Sequence, residues 1–382
     1  MYDLSMGDRH RDGCDNNSVL NKTMKIVHIA PHCDDSGNGV VNVSVDLACL
    51  QAKSGHDVVF ASPGGSFDQL LASCRVLHAQ LPSVYHVTTL WKLCSLLIAI
   101  RPDIVHAHTV PGAVLAYLIR RWFSFRLITS IHNGPLIRAM LMAFGDLVIA
   151  VSDASASEMR RRGLPARKLR VVRNGPLGSP RRKASKDRPA SRLRRPSIVT
   201  IAGLFSYKGI ADLIEAFSLI AARQPAATLY IIGDGAERRK FERQAAKAGF
   251  ADRIIFCGFV REPSAYLAEA DLFVLASHRE GFGLVLAEAR EAGCAIVASN
   301  VGGIPEALDG GAAGVSVPPR QPGILAQVML DLLHNDEQRQ VWRSRAAENL
   351  EWLNVQRVSL ETLAVYRESL SGREAGSETA PL

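Results

Sequence analysis

The sequence predicts an α/β protein made of two doubly wound, parallel-sheet domains that face each other across a cleft. Three observations predict it. Short apolar runs alternate with amphipathic stretches along the chain, the pattern of parallel strands joined by crossover helices. That alternation is interrupted by a Pro-, Arg-, Lys- and Ser-rich stretch from Pro176 to Pro196 and then restarts. At 382 residues, the chain also exceeds what one ordinary core supports.

Residues 1–23 are polar, lack the apolar segment of a signal peptide, and read as a flexible tail. The first domain is expected over residues 24–175. Its opening strand is Met24–Ala30, followed by a polar turn, His32–Gly39, and a helix in which Val43, Leu47 and Leu50 recur at i, i+4 and i+7. Further strands fit at Asp57–Ala61, Asp103–His106, Leu127–Ser130, Asp146–Val151 and Leu169–Val172. Residues 176–196 read as a basic linker. A second domain over 197–353 restarts with Ser197–Ala202 and continues with strands at Thr228–Ile232, Arg253–Cys257, Asp271–Ala276, Ala295–Ser299 and Gly314–Val317. Residues 354–382 read as a closing helix, Asn354–Leu370, and a polar tail. Two such halves create a cleft of the kind in which ligands bind.

Composition narrows the function. Hydrophobic residues at 47% and charged residues at 21% are ordinary for a soluble protein. No apolar run reaches the roughly 18–20 residues that span a bilayer. Seven widely spaced cysteines with no C-x-x-C pair argue for reduced thiols and a cytoplasmic location. The net charge of +8 is local: Arg160–Arg195 holds fifteen Lys or Arg and one acid, Asp187, and the rest of the chain is mildly acidic. Nucleic acid is excluded as a partner, because this stretch has no aromatic residue on which bases could stack. A solvated linker and a contact with anionic lipid headgroups both remain.

The sharpest chemical signal is Glu280-Gly-Phe-Gly-Leu-Val-Leu-Ala-Glu288, which follows an apolar strand and runs into a helix beginning near Leu284. Gly281 and Gly283 leave backbone uncovered, so a phosphate can reach the N–H groups at the helix start, where unpaired donors and the helix dipole favour an anion. Carboxylates repel phosphate, so Glu280 and Glu288 suit the hydroxyls of a sugar. Gly37-Asn38-Gly39 fails as a dinucleotide fingerprint, because Asn42 stands at the third glycine position. In Val105-His106-Ala-His108, strand alternation puts both imidazoles on one face. No nearby carboxylate or cysteine completes a metal site there, and no metal is expected.

The stretch Ser277-His-Arg-Glu-Gly-Phe-Gly-Leu-Val-Leu-Ala-Glu-Ala289, with Val301-Gly-Gly-Ile-Pro-Glu306, resembles the signature of family 4 glycosyltransferases, which have the GT-B fold of two facing Rossmann-like domains. The resemblance implies that Glu280 contacts the transferred sugar, that Glu288 binds the ribose, and that backbone at Phe282–Leu284 lies along sugar and diphosphate. Ala202-Gly-Leu-Phe-Ser-Tyr-Lys208-Gly209 resembles the family's Gly-Arg-Leu-x-x-x-Lys-Gly segment. Lys208 would then sit over the β-phosphate, and Leu204 would stand in place of the family arginine. Gly203, Gly233 and Val260 fall on segments that frame the donor, and Gly37 and Gly39 on a loop near its diphosphate. His106-Ala-His108 resembles the family H-x-H, His132 in Ile131-His132-Asn133 its donor-side histidine, and Arg173-Asn-Gly175 the turn closing its first domain. Thirteen residues separate His132 from Asp146, where the family often has an extra helix.

The implied activity is retaining transfer of a hexose from a UDP- or GDP-sugar to a glycan or lipid-linked acceptor, in cell-surface polysaccharide or lipopolysaccharide assembly. The chain has no D-x-D, so Lys208 and the helix start at Gly283–Leu284 are expected to stabilise the leaving group without metal or other cofactor. Glu280, Lys208 and His132 are the expected catalytic residues. Arg120-Arg-Trp-Phe-Ser-Phe-Arg126 combines cations with aromatics: either these face an anionic membrane, at the inner face of the cytoplasmic membrane, or Trp122, Phe123 and Phe125 pack in the core. The competing readings are a nucleotide-sugar epimerase on the same fold and an impaired nucleotide-sugar-binding assembly protein, the latter supported by Leu204.

Overall fold

The structure, a computed structural model, describes residues 22–83, 86–132, 140–182 and 192–377. Most of the expected tail, the middle of the basic linker and the segment after His132, including Asn133, lie outside the described residues.

Seven parallel strands form the first sheet: β1 Lys25–Ile29, β2 Asp57–Ser62, β3 Leu77–Gln80, β4 Ile104–Ala107, β5 Arg126–Ile131, β6 Leu147–Ala150 and β7 Leu169–Val171. Their spatial order is β3-β2-β1-β4-β5-β6-β7. The second sheet comprises β8 Ser197–Ile201, β9 Thr228–Ile232, β10 Ile254–Gly258, β11 Leu272–Leu275, β12 Ala295–Ser299 and β13 Val315–Val317, in the order β10-β9-β8-β11-β12-β13. The inner strands are rich in Val, Ile and Leu and buried, because helices cover both faces of each sheet.

Sequence reading missed β3. Leu77-His-Ala-Gln80 has no apolar run, and an edge strand half open to solvent needs none. The expected closing helix runs further than Leu370, over Val355–Ser377. It packs on the first domain, where Val358, Leu363 and Tyr366 share a core with Ile26, Ile104 and Ile128.

The chain therefore crosses between domains twice, and the crossings are tied together. Leu177 donates to the Leu353 carbonyl at 3.0 Å, and Val355 donates to the Leu177 carbonyl at 2.8 Å. Arg181 forks onto the buried carboxylate of Asp46 with two bonds of 2.8 Å. Much of the basic stretch is occupied in the same way: Arg162 pairs with Glu158, Arg170 with Glu368, Arg173 with Asp153, Arg182 with Glu291 and Arg195 with Asp271. These pairs tie part of its charge into the fold.

In each sheet the strand order reverses beside the domain's first strand, between β1 and β4 and between β8 and β11. Loops leaving the carboxyl ends of strands at such a switch point diverge and leave a crevice. The glycine loop, His108, the Lys208 segment and the Glu280 segment follow those four strands.

Candidate functional site

Two loops of the second domain are fastened together. After β8 the chain passes through Gly203–Lys208 into the helix Ile210–Ala221; after β11 it passes through Ser277–Gly283 into the helix Leu284–Glu291. The His278 N–H donates to the Tyr207 carbonyl at 2.8 Å, and the His278 ring meets the Asp212 carboxylate at 2.8 Å. Gly209 has φ +68°, and a Cβ there would lie 1.8 Å from the Ala276 carbonyl oxygen. The outcome is a contact between two expected site residues: Lys208 Nζ donates to Glu280 Oε2 at 2.6 Å, with the Ser277 hydroxyl 3.3 Å from the same oxygen.

No side chain caps the helix Leu284–Glu291; its cap is Gly283, at φ +86°. The helix start thus presents main-chain donors and its positive dipole end beside the Lys208–Glu280 pair, while Glu288 sits half-buried in the second turn. Phe282 points inward, with its ring edge-on to Trp352. The Gly302–Gly303 pair backs the loop closely, since a Cβ on Gly302 would lie 1.8 Å from the Glu280 carbonyl oxygen. Gly233 follows β9 and Val260 follows β10 on the same carboxyl-terminal edge.

The first domain meets this surface through its glycine loop. A Cβ on Gly39 would approach the Leu284 side chain at 3.3 Å, and one on Gly37 the Phe259 ring at 3.3 Å. Asn38 caps the helix Gly39–Lys53 by accepting from the Val40 N–H. Asp35 reaches across to Arg261 at 3.1 Å. Glu306 makes a second crossing: its carboxylate accepts from the N–H groups of Asp153 and Ala154 at 2.7 and 2.8 Å, at the start of the helix Asp153–Arg161. Sequence reading quoted the Val301–Glu306 motif without finding this role, which needs a contact 153 residues away.

His132 ends a buried chain of imidazoles and pairs with His108, not with Lys208 or Glu280. Gln51 Oε1 faces His28 Nε2 at 2.8 Å, His28 Nδ1 faces His108 Nε2 at 2.9 Å, and His108 Nδ1 faces His132 Nε2 at 3.3 Å. An amide oxygen only accepts, so His28 carries its proton on Nε2 and accepts at Nδ1. The same logic repeats along the chain, and it leaves Nδ1 of His132 as the unprotonated nitrogen. A branch runs from Gln51 Nε2 to the Tyr366 hydroxyl, on to His106 Nδ1 at 2.6 Å, and from His106 Nε2 to the Ser130 hydroxyl at 2.7 Å. Burial holds His28 and His132 down to about 4, and holds His106 and His108 well below the ordinary histidine value. All four are neutral at pH 7.

His28, His106 and His108 bring ligand atoms within 4.8 Å of one another. Their six ring nitrogens are nonetheless all engaged in these hydrogen bonds, and among the described residues no carboxylate or thiolate joins them to balance a cation's charge. His28, Gln51 and Tyr366 were missed in the sequence because they lie on separate elements, up to 315 residues apart.

Leu204 requires a correction. It is fully buried in the second-domain core, so a side chain there cannot face a diphosphate. Counting back four residues from Lys208 makes Leu204 the leucine of the Gly-Arg-Leu pattern and puts Gly203 in the arginine position. The Phe205 ring lies 3.0 Å from where a Gly203 Cβ would be. The departure from the family pattern therefore moves from Leu204 to Gly203, where the arginine is absent.

Residues 37–175 match the family described as "Glycosyltransferase Family 4", and residues 181–349 match "Glycosyl transferases group 1". The chain is 30% identical over 307 residues to the glycogen synthase of Mycobacterium tuberculosis, covering 74% of this chain and 72% of that one. It is 30% identical over 270 residues to the GDP-mannose-dependent alpha-(1-6)-phosphatidylinositol monomannoside mannosyltransferase of that organism, covering 64% and 69%. In fold it resembles Anabaena Alr3699/HepE, solved in complex with UDP and glucose, with a TM-score of 0.75 at 19% identity, over 90% of this chain and 99% of that one.

Proposed function

The chain belongs to the family 4 glycosyltransferases, and on that premise we propose that it moves a hexose, with retention of configuration, from a UDP- or GDP-sugar to a glycan or lipid-linked acceptor in cell-surface polysaccharide or lipopolysaccharide assembly. The observation that carries this reading is the Lys208–Glu280 contact beside the uncapped start of the helix Leu284–Glu291. Two phosphates are repelled by a carboxylate; a lysine held against that carboxylate offsets the repulsion and supplies a cation. At roughly 4 Å and an effective dielectric near 20, each such charge pair is worth about 4 kcal/mol. The ammonium and the helix-start amides then stabilise the nucleoside diphosphate as it leaves, with no divalent cation. Glu280 accepts hydrogen bonds from the sugar and Glu288 from the ribose. His132 lies on the opposite side, offering an acceptor nitrogen to a hydroxyl.

Donors among the relatives point to UDP or GDP. Thermal stabilisation by UDP-, GDP- and ADP-sugars decides between them without an acceptor. A ligand at about a hundred times its Kd raises stability by about 2.7 kcal/mol. Glu288→Ala is expected to weaken nucleotide binding by about tenfold or more, the loss of a hydrogen bond to a charged group. The reading fails if no nucleotide raises Tm, or if Glu288→Ala binds as the native protein does.

The acceptor proposal rests on an exposed apolar surface. The helices Val87–Ile100 and Val110–Ile119 cover one face of the first sheet through Leu93, Leu97, Ala113 and Ala116. They leave Trp91 78%, Ile98 63% and Leu118 58% exposed, with Trp122 at 73% beside Arg121. In the Arg120–Arg126 segment, Phe125 is core and Trp122 is not. Among the described residues, no helix is long and apolar enough to cross a membrane. Such a surface suits the interface of an anionic leaflet on the cytoplasmic side. Co-sedimentation with anionic vesicles is expected at low salt, falling several-fold in Trp91→Ser/Trp122→Ser; equal binding by that variant would remove the proposal.

A further inference from the structure

We propose that Cys33, Asp68 and His78 form a zinc site that fastens the glycine-bearing loop of the first domain. The Cys33 thiol lies 2.8 Å from Asp68 Oδ1, and His78 Nδ1 lies 3.3 Å from the same oxygen. All three ligand atoms fall within 4.8 Å of one another. A zinc ion bound at about 2.0–2.3 Å to sulfur, nitrogen and oxygen fits among them after the thiol and carboxylate part by under about 1 Å.

The chemistry of the three donors differs from that of the histidine chain. Thiolate and carboxylate together carry two negative charges and His78 is neutral, so a divalent cation gives an uncharged centre. The mixed sulfur, nitrogen and oxygen set selects zinc over magnesium or calcium. His78 is already oriented for this role: its Nε2 meets the Ser62 hydroxyl at 3.0 Å, leaving Nδ1 to face the thiol and carboxylate. Zinc-bound histidines usually have such an outer partner. Cys33 is fully buried, whereas the Asp68 side chain is 49% exposed and the His78 side chain 15%, so an ion enters from the Asp68 side and a water can take the fourth position. As the sulfur–zinc bond forms, the thiol proton passes to solvent. Burial and the hydrogen bond to Asp68 push the metal-free thiol up to about 12.

Placement gives the site its use. Cys33 and Asp68 lie beyond the ends of strands β1 and β2 and His78 lies within β3, and the loops after β1 and β2 are already laced together. Cys33 N–H donates to the Gly64 carbonyl at 3.2 Å, Phe67 N–H to the Cys33 carbonyl at 2.9 Å, and Asp35 N–H to the Ser66 hydroxyl at 2.7 Å. The same stretch carries Asp35, Gly37 and Gly39 to the other domain. Zinc there would stiffen the loop without touching a leaving group, and it stands apart from the metal-free transfer proposed above.

The test uses the full-length, untagged protein dialysed against zinc chloride, then cobalt chloride. About one zinc per chain is expected, and cobalt should give a thiolate charge-transfer absorption. Cys33→Ala should lose that absorption and the tight zinc, and Ser62→Ala should weaken zinc by roughly 10–100-fold. His86→Ala, at a helix cap elsewhere, serves as a control and should bind zinc as the native protein does. If Cys33→Ala is misfolded by circular dichroism, His78→Gln replaces it with the same expected loss. The proposal is overturned if the Cys33 or His78 variant retains native zinc stoichiometry, or if cobalt binds without the thiolate band. No zinc taken up from a tenfold excess would overturn it equally.

Discussion

Glu280→Gln is expected to lower the transfer rate by about two to three orders of magnitude while leaving nucleoside diphosphate affinity within about threefold. The substitution keeps the shape of the side chain and removes its charge. Two things are lost at once: the acceptor for the sugar hydroxyls and the anchor that holds Lys208 Nζ at 2.6 Å. Lys208→Ala removes the cation and leaves a carboxylate facing the phosphates, so it should impair both transfer and nucleotide binding. Because the two side chains act through one contact, their effects should not add. The double variant is expected to be about as slow as the slower single one. Rates measured with UDP- or GDP-sugar and acceptor, with and without added Mg2+ or Mn2+, test this together with the metal-free reading. Native rates in both single variants would remove Lys208 and Glu280 from the mechanism. A strict requirement for either cation would remove the electrostatic role given to the helix start.

The fold was legible in the sequence wherever burial is two-sided. Strands such as Leu272–Leu275 and Ala295–Ala298 are buried and apolar throughout, so they stand out as runs. β3 is an edge strand of four residues, so its composition carries no comparable demand. The Glu280 segment was readable because glycines, carboxylates and a following helix lie within nine residues. Its contact with Lys208 was not, since the two residues are 72 apart and the loops meet through the His278 contacts with Tyr207 and Asp212 and the packing of Gly209 on Ala276. Leu204 shows the opposite failure. A short pattern was aligned one residue out of register, and burial in the core exposed the slip.

Acid is expected to destabilise the protein steeply, through histidines that the fold holds neutral. The unfolded chain protonates them near the ordinary value of about 6.5. The folded chain binds those protons only near 4 for His28 and His132, and well below the ordinary value for His106 and His108, because burial disfavours the charge. Their neutral forms therefore contribute stability that is fully present above about pH 7. As pH falls through 6.5 the unfolded state takes up more protons, and stability drops until the folded values are reached. For His28 and His132, the difference between about 6.5 and about 4 corresponds to about 3 kcal/mol each, and coupling along the chain makes such contributions less than additive. Even two such groups consume a large share of the 5–15 kcal/mol typical of a folded protein. Between pH 7.5 and 4.5, Tm should fall by more than about 10 °C. The Gln51 amide adds a sharper check, because it orients every proton along the chain. Nitrogen-15 spectra should show His132 protonated on Nε2 in the native protein. In Gln51→Leu, His28 no longer has the acceptor that fixes its proton, and His132 should become a mixture of tautomers. A Tm that stays level down to pH 4.5, or a native His132 protonated on Nδ1, would show that the imidazoles are not linked in this order.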